Sequence, residues 1–110
     1  MIDLINEIND LCAKLTYSGE QLRRYGKEKA QTECDYKIAL NKEALKLRDE
    51  GYPITLINIV VYGVPEVANK RFKRDVAAAM YDTSLESINA LKLKIRILDA
   101  QIQREWHSNG

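Results

Sequence analysis

DEGYPITLINIVVYGVPE, residues 49–66, decides the fold. It holds Gly51, Gly63 and both prolines of the chain, Pro53 and Pro65, the residue types that stop a helix. The sequence on either side reads as long helix, so this is where the chain turns back on itself. Gly51 stands where a left-handed cap residue is expected, just behind Arg48, whose charge suits the negative pole of a helix. Pro53 forbids simple continuation. Thr55 is the expected cap of a short helix over residues 56–62, which Gly63 ends. Val64-Pro65-Glu66 then opens the next helix with proline in its first turn and an acid close behind. The run Ile57-Asn58-Ile59-Val60-Val61-Tyr62 is β-prone, and a short strand is the alternative. No second strand candidate exists to pair with it, which favours helix.

Working outward, residues 3–49 read as one helix. Leu4, Ile8, Leu11 and Leu15 recur at steps of three and four; the stripe passes Leu22 and Tyr25, thins through Lys29 and Glu33, and returns at Tyr36, Leu40, Ala44 and Leu47. Gly19 and Gly26 interrupt it, each at a cost of ~1 kcal/mol against alanine. A break at Tyr17-Ser18-Gly19-Glu20, with Ser18 capping a new helix, is one reading; close approach of another backbone at the glycines is the other. The last helix is expected over residues 65–106, with a stripe of Phe72, Val76, Met80, Tyr81, Leu85, Ile88, Leu91, Ile95, Leu98, Ile102 and Trp106. Leu93 and Ile97 lie off that seam and form a second apolar edge, which a two-helix contact does not need.

The expected fold is therefore all-α: a long antiparallel helical hairpin with a short helix at its turn. Residues 1–106 form a single domain, and 107–110, HSNG, form a loose tail. The second edge predicts pairing of two hairpins into a four-helix-bundle homodimer. From the turn alone, positions summing to roughly 115 face each other in an antiparallel pair. That sets Tyr36 across from Ala77-Ala78-Ala79, Leu22 near Leu93, and Leu11 near Arg104.

Composition excludes several classes. The 110 residues carry 17 Lys+Arg against 16 Asp+Glu, a net charge of +1, which argues against a wholesale polyelectrolyte binder but leaves room for local basic patches. The acids within MIDLINEINDL exclude a secretory signal, and no apolar run approaches the ~20 residues that a membrane span needs. Cys12 and Cys34 sit roughly 33 Å apart on one straight helix, too far for a bridge. They read as reduced thiols of a cytoplasmic protein. His107 is the only histidine and falls in the expected tail; neither cysteine has a histidine or second cysteine at metal spacing. No glycine-rich phosphate loop is present. The chain reads as a non-enzyme with no metal, no cofactor and no small-molecule substrate.

The candidate sites are surfaces. Lys70, Arg71, Lys73 and Arg74, within NKRFKRD, make the densest basic run and point to an anionic partner, either an acidic protein surface or a phosphate backbone. A solvated helix face paired with Glu43, Asp49, Glu66 and Asp75 is the plainer reading. Tyr52 and Tyr62, with Ile54, Val60 and Val61, cluster at the turn as an aromatic and apolar docking patch or as the buried cap of the hairpin. A second basic band of Arg23, Arg24, Lys27 and Lys29 against Lys92, Lys94 and Arg96 is the candidate nucleic-acid surface. A helix-turn-helix over residues 56–77 fails on spacing, since Asn69 falls where a bulky apolar residue is needed.

Lys42-Glu43, the step from Arg48 to Pro53, Gly63-Val64-Pro65, the segment from Arg71 to Asp75 and the closing Arg104-Glu105-Trp106 cover about two-thirds of the chain. In these features it resembles small helical proteins encoded by phages and prophages of Gram-positive bacteria. The resemblance implies a bacterial cytoplasm and an accessory role. The expected function is binding of a host or phage protein through a helical surface, as an inhibitor of bacterial defence of the anti-CRISPR kind. The alternative is a nucleic-acid-binding accessory of phage DNA metabolism.

Overall fold

A computed structural model describes residues 1–109. Helix α1 spans Ile2–Asp49, α2 spans Ile54–Val60 and α3 spans Pro65–Asn109, with a 3-10 turn at Val61–Gly63 between the last two. No strand occurs among the described residues, so the β-prone run after Thr55 is helical. With no second strand available, its backbone N–H and C=O groups pair locally. α1 passes Gly19 without a break.

The turn follows from its glycine and prolines. Gly51 takes a positive φ of 92°. Its N–H donates to the Arg48 carbonyl at 3.0 Å, and the Tyr52 N–H donates to Leu47 at 3.1 Å. These two bonds form a Schellman motif that satisfies the last carbonyls of α1. Thr55 is not the cap of α2. Pro53 holds that position in extended geometry, and its carbonyl accepts from both Leu56 and Ile57 at 3.0 Å. Proline serves here because the capping is done by its backbone oxygen. Pro65 opens α3, as its fixed φ favours. At the other end α3 runs through His107 and Ser108 to Asn109, three residues beyond the expected stop at Trp106. Ser108 Oγ donates to the Arg104 carbonyl at 3.1 Å, and His107 lies in the last turn. Of the expected tail, Gly110 lies outside the described residues.

Internal contacts divide the chain into two compact units. Tyr25–Tyr81 forms the turn unit, and Met1–Arg24 joins the α3 residues from Asp82 onward in the other. In the turn unit, Leu47, Ile57 and Val61 are buried together, with Leu40, Ala44 and Val60 packed around them. Tyr36, Ala39 and Val67 form the adjoining cluster, flanked by Leu40 and Val64. Thus α2 occupies the last two turns of α1, and α3 begins opposite Ala39. The pairing expected from the turn alone is displaced by about two helical turns. Tyr36 meets Val67 and Arg74 instead of Ala77-Ala78-Ala79, because α2 takes the place that α3 was expected to fill.

The first part of α3 also faces differently from the expected seam. Its inward positions are Val67, Lys70, Arg74, Ala77 and Tyr81, while Phe72, Val76 and Met80 of the expected seam are exposed. In the other unit, Leu4, Ile8, Leu11, Leu15 and Leu22 are half-buried, as are Leu91, Ile95, Leu98 and Ile102 beside the buried Ile88. The Met1 amino group lies 3.9 Å from the Glu105 carboxylate. Leu85 and Trp106 face outward, as do Leu93, Ile97 and Arg104, so Leu93 and Arg104 do not pack on Leu22 and Leu11.

Burial is thin. Among the described residues, Val67 alone is fully enclosed. The chain leaves 8065 Å² accessible. Truncation of a side chain buried beneath α2 should accordingly cost more than truncation of an exposed one on it. We predict that Ile57→Ala lowers stability by about 2–4 kcal/mol in chemical denaturation, while Ile59→Ala, which is 74% exposed, stays within about 0.5 kcal/mol. Nothing stands within 4 Å of a Cβ added at Gly19, so Gly19→Ala should stabilise by up to ~1 kcal/mol in the same assay.

Candidate functional site

The seven residues of α2 contain no charged side chain. Helical spacing turns Ile57 and Val61 down onto Leu47, which leaves Ile54, Leu56, Ile59 and Tyr62 pointing out. Ile54 and Ile59 are 73% and 74% exposed, and Tyr52 and Tyr62 are 38% and 44% exposed. The expected turn cluster is therefore split: Val61 is buried, Val60 is half-buried, and Tyr52, Tyr62 and Ile54 face solvent. The Arg71 guanidinium stands 5.7 Å from the Tyr62 ring centroid, within cation–π range. The result is a set of apolar and aromatic side chains exposed around α2 and the turn, with one cation beside Tyr62, above the buried Ile57 and Val61.

The basic run does not make one surface, because adjacent helical positions differ by about 100°. Arg74 points inward. Its guanidinium lies 4.4 Å from the centroid of the buried Tyr36 ring, its Nη2 donates to Asp75 Oδ1 at 2.8 Å, and its Nε is 3.7 Å from Glu33 Oε2. The hydrogen bond to Asp75 raises its pKa above the usual arginine value, with the Asp75 and Glu33 charges adding to it and desolvation opposing. A pKa higher in the folded state adds stability that is complete below the unfolded value and lost only on alkaline titration past the folded one. Arg74 therefore contributes no pH dependence near neutrality. Lys70 is half-buried and lines a groove with Asp35, Ile38, Ala39, Lys42 and Glu66. Arg71 and Lys73 are exposed, and neither makes an ion pair among the described residues.

The second basic band is likewise divided. Arg24 donates to the Gln21 side chain, and Gln21 donates to the Tyr17 hydroxyl at 2.6 Å. Arg23, Lys27, Lys92, Lys94 and Arg96 are exposed. Lys92 and Lys94 lie roughly 200° apart around α3 and serve different faces.

Sequence reasoning missed one feature of the turn unit. Gly26, Lys29, Glu33, Arg74, Ala78 and Tyr81 line an open groove of ≈440 Å³. Lys29 Nζ lies 4.8 Å from the Tyr81 ring centroid. The signal was the thinning of the α1 stripe at Lys29 and Glu33, where inward-facing charge demands aromatic or charged partners across the seam. In this groove Arg74 pairs with Glu33 and Lys29 lies over the Tyr81 ring. No three His, Cys, Asp or Glu side chains among the described residues are grouped to hold a metal ion, and Cys12 and Cys34 are exposed and unbridged.

No helix among the described residues is long and apolar enough to cross a membrane. No family model matches the chain, and comparison with curated proteins and with solved structures gives no match.

Because Arg74 is spent on internal partners, its replacement should read as a fold defect. We predict that Arg74→Ala costs roughly 1–2 kcal/mol in thermal or denaturant unfolding, through the lost Tyr36 contact and stem packing, whereas Lys73→Ala stays within about 0.5 kcal/mol.

Proposed function

We propose that this chain is a non-enzymatic interaction protein that presents the outer face of α2 to another protein. The observation that carries this reading is the exposed set Tyr52, Ile54, Ile59 and Tyr62 above the buried Ile57 and Val61. Rigid aromatic anchors with an arginine beside them are the composition of interface hot spots, and an ordered underside lowers the entropic cost of binding. The partner that suits this patch has an apolar pocket with an acidic rim, which meets Arg71. On the resemblance to phage and prophage proteins, that partner belongs to a bacterial host or a phage, and the consequence of binding is inhibition of a defence activity. The scattering of basic residues over several faces favours a protein over a phosphate backbone, which needs a continuous cationic track. The chain acts as a homodimer in which a second copy covers apolar surface that one copy leaves open.

The test is capture from bacterial lysate with tagged wild type and with Tyr52→Ala and Tyr62→Ala, each with and without nuclease. The expected result is a protein retained after nuclease treatment and lost with either tyrosine variant. Affinity for the purified partner should fall roughly thirtyfold per tyrosine, an anchor loss of about 2 kcal/mol. Capture that disappears with nuclease, survives both tyrosine variants and falls steeply with salt would overturn the reading in favour of nucleic-acid binding.

A further inference from the structure

The turn unit carries a second apolar surface, on α3, that neither its internal packing nor the α2 patch uses. Phe72 is 66% exposed, and Val76 and Met80 are each 45% exposed. At about 100° per residue, Phe72 lies half a turn away from the inward Tyr81 and Arg74, so this stripe runs along the far side of α3 from α1. Ala68, Asn69, Phe72, Val76, Ala79 and Met80 share it, and all six are exposed. None is charged, in a chain that is 30% charged. Lys73 and Asp75 bound it on opposite sides.

Relying on the homodimer reading above, we propose that this stripe is the dimer seam, occupied by the same stripe of a second copy running antiparallel. The argument is its self-complementarity. A two-fold axis placed midway between Phe72 and Val76 sets Phe72 against Val76 of the second copy, and Met80 against Ala68 of the second copy. It also sets Ala79 against Asn69. Each large side chain meets a smaller one, and each contact occurs twice, as an isologous interface requires. A partner of other composition would need its own uncharged stripe with this spacing; a second copy supplies it by construction. The outward residues of α1 in this unit offer a poorer seam. Ala30, Cys34, Ile38, Asn41 and Leu45 follow one another there at steps of three and four, but only Ile38 and Leu45 are large and apolar, a full heptad apart, with Lys37 and Lys42 flanking Ile38. The seam is a single helix–helix contact, so its dimer belongs to the weaker, concentration-dependent class.

Sedimentation equilibrium from micromolar to near-millimolar chain tests the proposal, with circular dichroism as the control for folding. The wild type should populate a dimer, and Phe72→Glu should weaken it at least ~100-fold, since a two-fold seam counts each substitution twice. Val76→Glu should act in the same direction, and Ile38→Glu should not. An equimolar mixture of Phe72→Cys and Val76→Cys chains, each in a Cys12→Ser/Cys34→Ser background, should oxidise preferentially to the mixed disulfide. A wild type that stays monomeric throughout sinks both the dimer and its seam. A dimer untouched by Phe72→Glu and Val76→Glu sinks the seam and leaves the dimer standing. Dissociation by Phe72→Glu without the mixed disulfide overturns the antiparallel register.

Discussion

The contact of Leu47 with Ile57 and Val61 is the constraint on which the turn unit depends. It seats α2 on the end of α1 and so decides where α3 begins. Every later position of α3 in this unit inherits its facing from that start. Had α2 been a free linker, α3 would have begun opposite the last turn of α1, with Phe72, Val76 and Met80 turned inward. Instead Val67 meets Tyr36 and Ala39, and the three large apolar residues face out.

That facing puts charge at inward positions. Lys29, Glu33, Lys70 and Arg74 occupy or border the seam between the two long helices of the turn unit. The structure accommodates them with rings: Arg74 lies over Tyr36 and Lys29 over Tyr81. A guanidinium on an aromatic face keeps part of its hydration while its stem packs, so a half-buried cation is tolerable there. Charge at a seam also fixes pairing, because sliding one helix by a turn would strand Arg74 away from Tyr36 and Glu33. The apolar Phe72, Val76 and Met80, which the sequence assigned to the seam, are exposed on the far side of α3.

Much of this was legible in the sequence. The helical stripes, the cap at Gly51, the stop at Pro53 and the start at Pro65 each rest on local backbone chemistry, and local chemistry can be read residue by residue. The cap of α2 was misread because Thr55 offers a side-chain cap and Pro53 caps through its carbonyl, which carries no sequence signature. The register was misread because it depends on a tertiary contact, the seating of α2, and no local rule reports it. The facing of Phe72, Val76 and Met80 followed the same error, since hydrophobicity alone assigns them to a core. Of the residues singled out in the sequence, Tyr52 and Tyr62 are exposed, and Arg71 from the separate basic run lies over the Tyr62 ring. The sequence could not tell that Arg74 turns inward while Arg71 stays free, because consecutive basic residues look alike until the helix is oriented.

The most direct test is the set of nuclear Overhauser contacts made by the Tyr36 ring. With α2 seated as described, the ring protons should show strong contacts to the Val67 methyls and to Ala39. Contacts from Tyr36 to the Ala79 methyl, with none to Val67, would mean that α3 starts level with the end of α1, and the account of both outward surfaces would be wrong.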